Sequence, residues 1–226
     1  MHIVQQILFL VVAAIAAFLF YKKATSIRRN IFLGRDEDIS DRKDERWRNM
    51  VLLALGQKKM FKKPLPAILH LFVYVGFVII NIEILEIFLD GILGVHRLFA
   101  PMLGGFYAFL IGFFELLAVL VLFAVIIFYA RRNIINVKRL AMKELNGWPK
   151  SDANIILYFE IVLMSLFLIM NSADLALQAK GAEHYTQTAS FLISSQLSGL
   201  FSGMSIDALV LLERSCWWLH IIGIIS

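Results

Sequence analysis

The sequence holds one cysteine, Cys216, in 226 residues. A single thiol excludes an internal disulfide framework, and it excludes a four-cysteine iron–sulfur site within this stretch. No C-x-x-C-H occurs, so covalent c-type haem attachment is excluded as well. Charge is also scarce: 17% of residues are charged while 60% are hydrophobic, and the mean hydropathy is +0.76. That composition excludes an ordinary soluble domain of this length. There is no phosphate-binding loop, H-E-x-x-H, serine elbow or dinucleotide fingerprint. Internal repeats and low-complexity tracts are missing too.

What the chain does have is long apolar runs. A helix needs roughly 20 apolar residues to cross a bilayer. Runs at about 3–21, 65–89, 104–130, 154–177 and 206–226 meet that length and lack two-residue alternation. They predict five transmembrane helices and not a β-barrel. The first run follows only Met1-His2 and ends in Tyr21-Lys22-Lys23, which fits a retained anchor helix better than a cleaved leader. Pro64 and Pro66 open the second run, where a missing N–H needs no partner. The fifth run is still apolar at Ser226, so the expectation is a truncated fifth helix with further sequence downstream.

The net charge of +5 is placed by topology and gives no reason to expect nucleic acid. Residues 22–63 hold thirteen Lys/Arg against six Asp/Glu, and residues 131–150 hold six Lys/Arg against one Glu. Both segments fall on one side of the membrane. The positive-inside rule makes that side cytoplasmic and leaves the N-terminus outside. Within the first segment, Trp47, Met50, Val51 and Leu55 predict an amphipathic surface helix, and Lys58-Lys59-Met60-Phe61-Lys62-Lys63 suits anionic headgroups.

Ionisable groups inside apolar runs are costly and mark function or pairing. His70 lies early in the second run and His220 well inside the fifth. Each reads either as a ligand to a b-type haem, which needs two imidazoles from facing helices, or as an interhelical hydrogen bond. His96, in the short loop after the second run, is a third candidate ligand; His184 and His2 read as ordinary exposed residues. Glu83, Glu86, Glu115, Glu160 and Asp174 also sit within runs. They are candidates for proton transfer, with Glu115 preferred and Glu83 next, or for simple interior pairing. Arg97 and Arg214 are candidates for haem propionates on the outer side, and Arg131 and Arg132 on the inner side. Trp217 and Trp218 suit either a porphyrin face or the membrane interface. Gly199 and Gly203 form a G-x-x-x-G that precedes the fifth run, where a helix-dimer role is weak.

The segment Glu213-Arg214-Ser215-Cys216-Trp217-Trp218-Leu219-His220-Ile221 resembles helix five of membrane iron–sulfur oxidoreductases related to heterodisulfide reductase. Their membrane part is similar to the nitrate reductase gamma subunit. Pro64 through Phe77 and Leu93-Gly94-Val95-His96-Arg97 fit the same pattern. The resemblance implies an all-α five-helix membrane bundle of the gamma-subunit type carrying b haems. It implies exchange of electrons with a menaquinone-type quinone in a bacterial cytoplasmic membrane. It further implies a cytoplasmic iron–sulfur domain or subunit with 4Fe–4S clusters downstream of this stretch, and electron transfer flavoprotein as a soluble donor. In that pattern helices two and five each give two haem ligands. His70 matches the first of helix two and His220 the first of helix five. The second helix-two position falls near Ile80-Asn81, where no histidine stands, so either one haem is kept or His96 substitutes. The competing reading is a proton- or ion-coupled transporter built on the buried acids. It predicts inverted repeats and broken helices. A bare membrane scaffold is a third.

Overall fold

Inside hydrocarbon a backbone has no water to bond, so each apolar run closes its own N–H and C=O groups as helix. The computed structural model describes residues 3–35, 37, 40–58, 60–140 and 142–225; His2, Lys59 and Ser226 lie outside the described residues. Its helices are α1 (Ile3–Ile31), α2 (Lys43–Met50), α3 (Pro64–Leu93), α4 (Ala100–Leu103), α5 (Gly105–Asn133), α6 (Trp148–Ala179), α7 (Ser194–Leu197) and α8 (Ile206–Ile225). The described residues contain no strand. Five of these helices, α1, α3, α5, α6 and α8, are long and apolar enough to cross a membrane. The chain is therefore an all-helical, multi-pass membrane protein.

The spans overrun the apolar runs that predict them. α1 continues ten residues past Tyr21 through Lys22, Lys23, Arg28 and Arg29. α6 starts at Trp148, with a proline in its first turn. Hydropathy marks where the hydrocarbon ends, whereas lysine and arginine are good helix formers and carry the helix on into the headgroups. α3 stops at Gly94, whose left-handed φ of 72° lets its N–H reach back to the Asp90 carbonyl. The predicted surface helix is present as α2 followed by a π-helical turn, Val51–Leu55. It buries none of its residues, so Trp47, Met50, Val51 and Leu55 keep their apolar side outward. Gly199 and Gly203 fall in a short 3-10 turn and the bend after it, outside the spans.

α6 is the hub, packed on α5 and α8, while α3 packs on α5. The core between them holds Phe114, Ala118, Val121, Phe167, Trp217 and Ile221. At Gly76 a Cβ would stand 2.5 Å from Val121 Cγ2, so glycine sets the close approach of α3 and α5. α1 is the outlier: its only buried residue among those described is Phe9. That ring sits 5.6 Å from both Phe88 and Trp217 and lies over Gly91, where a Cβ would come within 2.7 Å of it. Gln6 adds a hydrogen bond to the Ile92 carbonyl at 2.6 Å. α1 is thus docked to the C-terminal end of α3 and splays away elsewhere.

The two basic segments share one end of the bundle, here the basic end. The loops 94–104 and 180–205 share the opposite end. Phe9→Ala removes the plug that docks α1 and leaves a cavity beside Trp217. The expected loss is about 3–5 kcal/mol, the usual range for a buried phenylalanine. Thermal unfolding of detergent-solubilised protein checks it, with the exposed Ile7→Ala within about 0.5 kcal/mol of the parent.

Candidate functional site

The end opposite the basic loops is stitched by one arginine. Arg97 is buried at 7% exposure and adopts a left-handed backbone, φ 53°, that a non-glycine residue seldom tolerates. Asp90 holds that backbone, accepting from the N–H groups of Arg97 at 2.8 Å and Leu98 at 2.9 Å. The guanidinium donates through Nε to Asp174, through one terminal nitrogen to Tyr107 Oη at 3.0 Å and through the other to Asn171 Oδ1 at 2.9 Å. The Phe191 ring lies 4.9 Å from its central carbon. Burial alone would lower the Arg97 guanidinium. The Asp174 carboxylate beside it more than reverses this and holds it well above its ordinary value.

The network extends outward from there. Tyr107 donates its hydroxyl to Glu86 at 2.7 Å, and Glu86 also accepts from the Phe99 N–H at 2.8 Å. Asp174 accepts from Gln178 at 3.2 Å, and Gln178 takes the Thr188 N–H at 2.9 Å. Arg214 forks onto its neighbour Glu213, which also accepts from the Tyr185 hydroxyl at 3.1 Å. Burial first, and then the Glu213 carboxylate, push the Tyr185 phenol above its ordinary value, so it stays a donor. α3, α5, α6, α8 and both loops meet in this cluster.

Several of the expected site residues have protein partners in the structure. His96 was expected as an outer haem ligand, but both its ring nitrogens are engaged. Nδ1 accepts from the Thr186 N–H at 3.1 Å, which leaves the hydrogen on Nε2, 3.5 Å from Asp174. Arg97 and Arg214, expected at propionates, are committed to Asp174 and Glu213. Glu115, expected as the proton group, is fully buried and receives the N–H groups of Ile193 at 2.8 Å and Ser194 at 3.1 Å. It clamps the loop before α7 to the middle of α5. Glu83 is different: it is 3% exposed and its Oε2 has no hydrogen-bond partner. It borders a cavity of about 30 Å³ together with Glu86, Asp90, Arg97 and Asp174.

Sequence reading passed over Asp90, Tyr107, Asn171, Gln178 and Glu213 as members of this cluster. A signal for most of them was present. Glu83, Glu86 and Asp90 on α3, and Asn171, Asp174 and Gln178 on α6, each repeat at i, i+3, i+7. That spacing puts three polar side chains on one helix face.

The donor set for a haem is only half assembled. His220 is buried at mid-bundle, with Nδ1 3.1 Å from the carbonyl of Leu163 at the middle of α6. An Nδ1–H bonded to a carbonyl is the tautomer that leaves Nε2 for a metal. His70 is exposed near the basic end, its ring 4.6 Å from Phe128. One turn from Phe128, the buried Nε of Arg132 has no hydrogen-bond partner, and a propionate would satisfy it. Each histidine could therefore offer one ring nitrogen to a haem. Among the described residues neither is joined by a second imidazole. His184 is exposed, as expected. Trp217 is buried against Phe9 and Arg214, and Cys216 is a buried free thiol.

Fold and site define an all-helical membrane protein with a buried ionic cluster at one end, and its relatives are oxidoreductases. The chain is similar to the probable iron–sulfur-binding oxidoreductase FadF of Bacillus subtilis (strain 168), 27% identical over 224 residues that make up 99% of this chain and 30% of that protein. It is also similar to the EtfAB:quinone oxidoreductase of Syntrophomonas wolfei, 25% identical over 174 residues, 75% of this chain and 23% of that protein. The chain spans less than a third of the length of these relatives. No family model and no solved structure matches it. These similarities support a relation to iron–sulfur oxidoreductases.

Asp174→Asn strips the charge partner from a buried guanidinium. The expected cost is roughly 3–5 kcal/mol, against about 0–1 kcal/mol for Asp41→Asn in the exposed Arg42 pair. Comparing their unfolding midpoints in detergent checks the contrast.

Proposed function

We propose that this chain is the membrane electron-transfer unit of a quinone-linked oxidoreductase. It passes electrons between a menaquinone-type quinone and a cytoplasmic iron–sulfur module carrying 4Fe–4S clusters, with electron transfer flavoprotein as a soluble partner. The observation that carries this reading is the extent of the similarity. Nearly the whole five-helix bundle aligns with a relative named as an iron–sulfur-binding oxidoreductase, and three-quarters of it with one named as an EtfAB:quinone oxidoreductase. The basic end, rich in lysine and arginine, is the cytoplasmic side, and the N-terminus is outside. The bundle is of the nitrate reductase gamma-subunit type and lies in a bacterial cytoplasmic membrane.

A b-type haem belongs to this reading and supplies one-electron chemistry when bound. His220 and His70 lie at different depths and would each supply one imidazole to a separate haem, and Arg132, near His70, would suit a propionate. His96 is left with the Arg97 cluster. Glu83 is the proton group of choice, since the carboxylate of Glu115 is occupied by backbone donors. The five spans are continuous helices, which gives the transporter reading no broken helix to work with.

The test uses the full-length protein in detergent. Reduced-minus-oxidised visible spectra and haem extraction are expected to show b-type haem that falls in His220→Ala and in His70→Ala but stays in His96→Ala. Absence of any b-type band, or loss of haem in His96→Ala alone, contradicts the assignment.

A further inference from the structure

Six carboxyl groups are buried toward the end of the bundle that carries Arg97: Glu83, Glu86, Asp90, Glu115, Asp174 and Glu213. Two guanidinium groups stand against them, Arg97 on Asp174 and Arg214 on Glu213. Three of the other acids are held by donors. Glu86 takes the Tyr107 hydroxyl and the Phe99 N–H, Asp90 takes two backbone N–H groups, and Glu115 takes two more. Glu83 is the exception, with a buried Oε2 that nothing donates to. An ionised carboxylate there would lack a hydrogen-bond donor at Oε2 and would stand among the acids Glu86, Asp90 and Glu115, with Arg97 already engaged by Asp174. A metal ion is a poor neutraliser, because no three His, Cys, Asp or Glu side chains among the described residues are arranged to hold one.

The space beside Glu83 decides what can reach it. The adjoining cavity of about 30 Å³ exceeds the roughly 10–15 Å³ that one water needs, and polar groups surround it. Val95, His96 and Arg214 line this cavity and also a larger one of about 600 Å³. The larger cavity is bordered by the exposed Glu183 and His184 of the loop after α6. Glu83 is thus separated from that end by a thin wall of side chains, whereas on the other side the apolar core, with Val121 and Val125 of α5, continues toward the basic end.

We infer that Glu83 is a proton-exchange site, a carboxyl that takes up and releases a proton through the water-sized cavity beside it, toward the end away from the basic loops. The site deepens the quinone reading and rests on it for its purpose. Oxidation of a quinol gives a quinone, two electrons and two protons. The electrons leave to the haem and iron–sulfur carriers of the proposed function, and the two protons pass one after the other to the Glu83 carboxylate, each in its turn forming its O–H bond. That bond then breaks to a water in the cavity, which hands the proton to the outer side. Reduction of the quinone runs the same steps backward. A carboxyl group has no accessible redox change, so its part is proton delivery and not electron transfer.

The experiment uses the full-length protein in nanodiscs and has two arms. In infrared difference spectra on exchange from H₂O to D₂O, a protonated-carboxyl band is expected in the parent. It is expected to be missing in Glu83→Gln, shifted in Glu83→Asp and retained in Glu115→Gln. In the second arm, oxidation of a soluble naphthoquinol falls roughly a hundredfold in Glu83→Gln, the scale of a lost proton-transfer group, and recovers in part in Glu83→Asp. A band unchanged in Glu83→Gln overturns the proton site whatever the quinol does. A band lost as expected in a parent that never oxidises quinol keeps the site and overturns the quinone reading instead.

Discussion

Everything at one end of this bundle depends on the contact between Arg97 and Asp174. A guanidinium taken out of water is costly unless it is paired and its donors are filled. Here the carboxylate of α6 pairs it, Tyr107 of α5 and Asn171 of α6 take its other donors, and Asp90 of α3 fixes its backbone in a left-handed turn. One residue from the eleven-residue connection 94–104 therefore holds three spans in register. The strain of that turn, of order 1–3 kcal/mol, persists because the cluster over-determines it. Among the described residues the basic end has no such lock. There α5 and α6 meet through the paired amides of Asn133 and Asn154 and the hydroxyls of Tyr129 and Tyr158.

This asymmetry gives the molecule a rigid polar end and a simpler basic one. The buried acids gather where the arginine lock excludes bulk water. The two histidines free of that lock, His220 and His70, lie at mid-bundle and toward the basic end. Under the proposed function, proton chemistry would fall at the polar end and the electron carriers would lie toward the basic one. α1 is attached mainly through Phe9 and Gln6, with Ala13 also against the core, and its far half is exposed to meet lipid.

Much of this was legible in the chain and some was not. The five spans follow from apolar length, because a bilayer leaves the backbone no alternative to helix. The helix ends do not follow, since Lys22, Lys23, Arg28 and Arg29 leave the membrane without leaving the helix. Burial of Glu115 and Asp174 was readable from their depth in apolar runs, but their jobs were not. Glu115 answers to backbone N–H groups 78 and 79 residues away, and Asp174 to an arginine 77 residues away. His96 shows the same limit. Its place in a short loop after a span fits a ligand, and only the positions of Thr186 and Asp174 reveal that its two nitrogens are taken.

The measurement that tests quinone-linked electron transfer most directly is stopped-flow mixing of the full-length, oxidised protein with a naphthoquinol, followed in the visible range. The account predicts that b-type bands appear at a rate that rises with quinol concentration and reach a large part of the amplitude given by dithionite. Bands that dithionite raises fully and quinol never raises would contradict it.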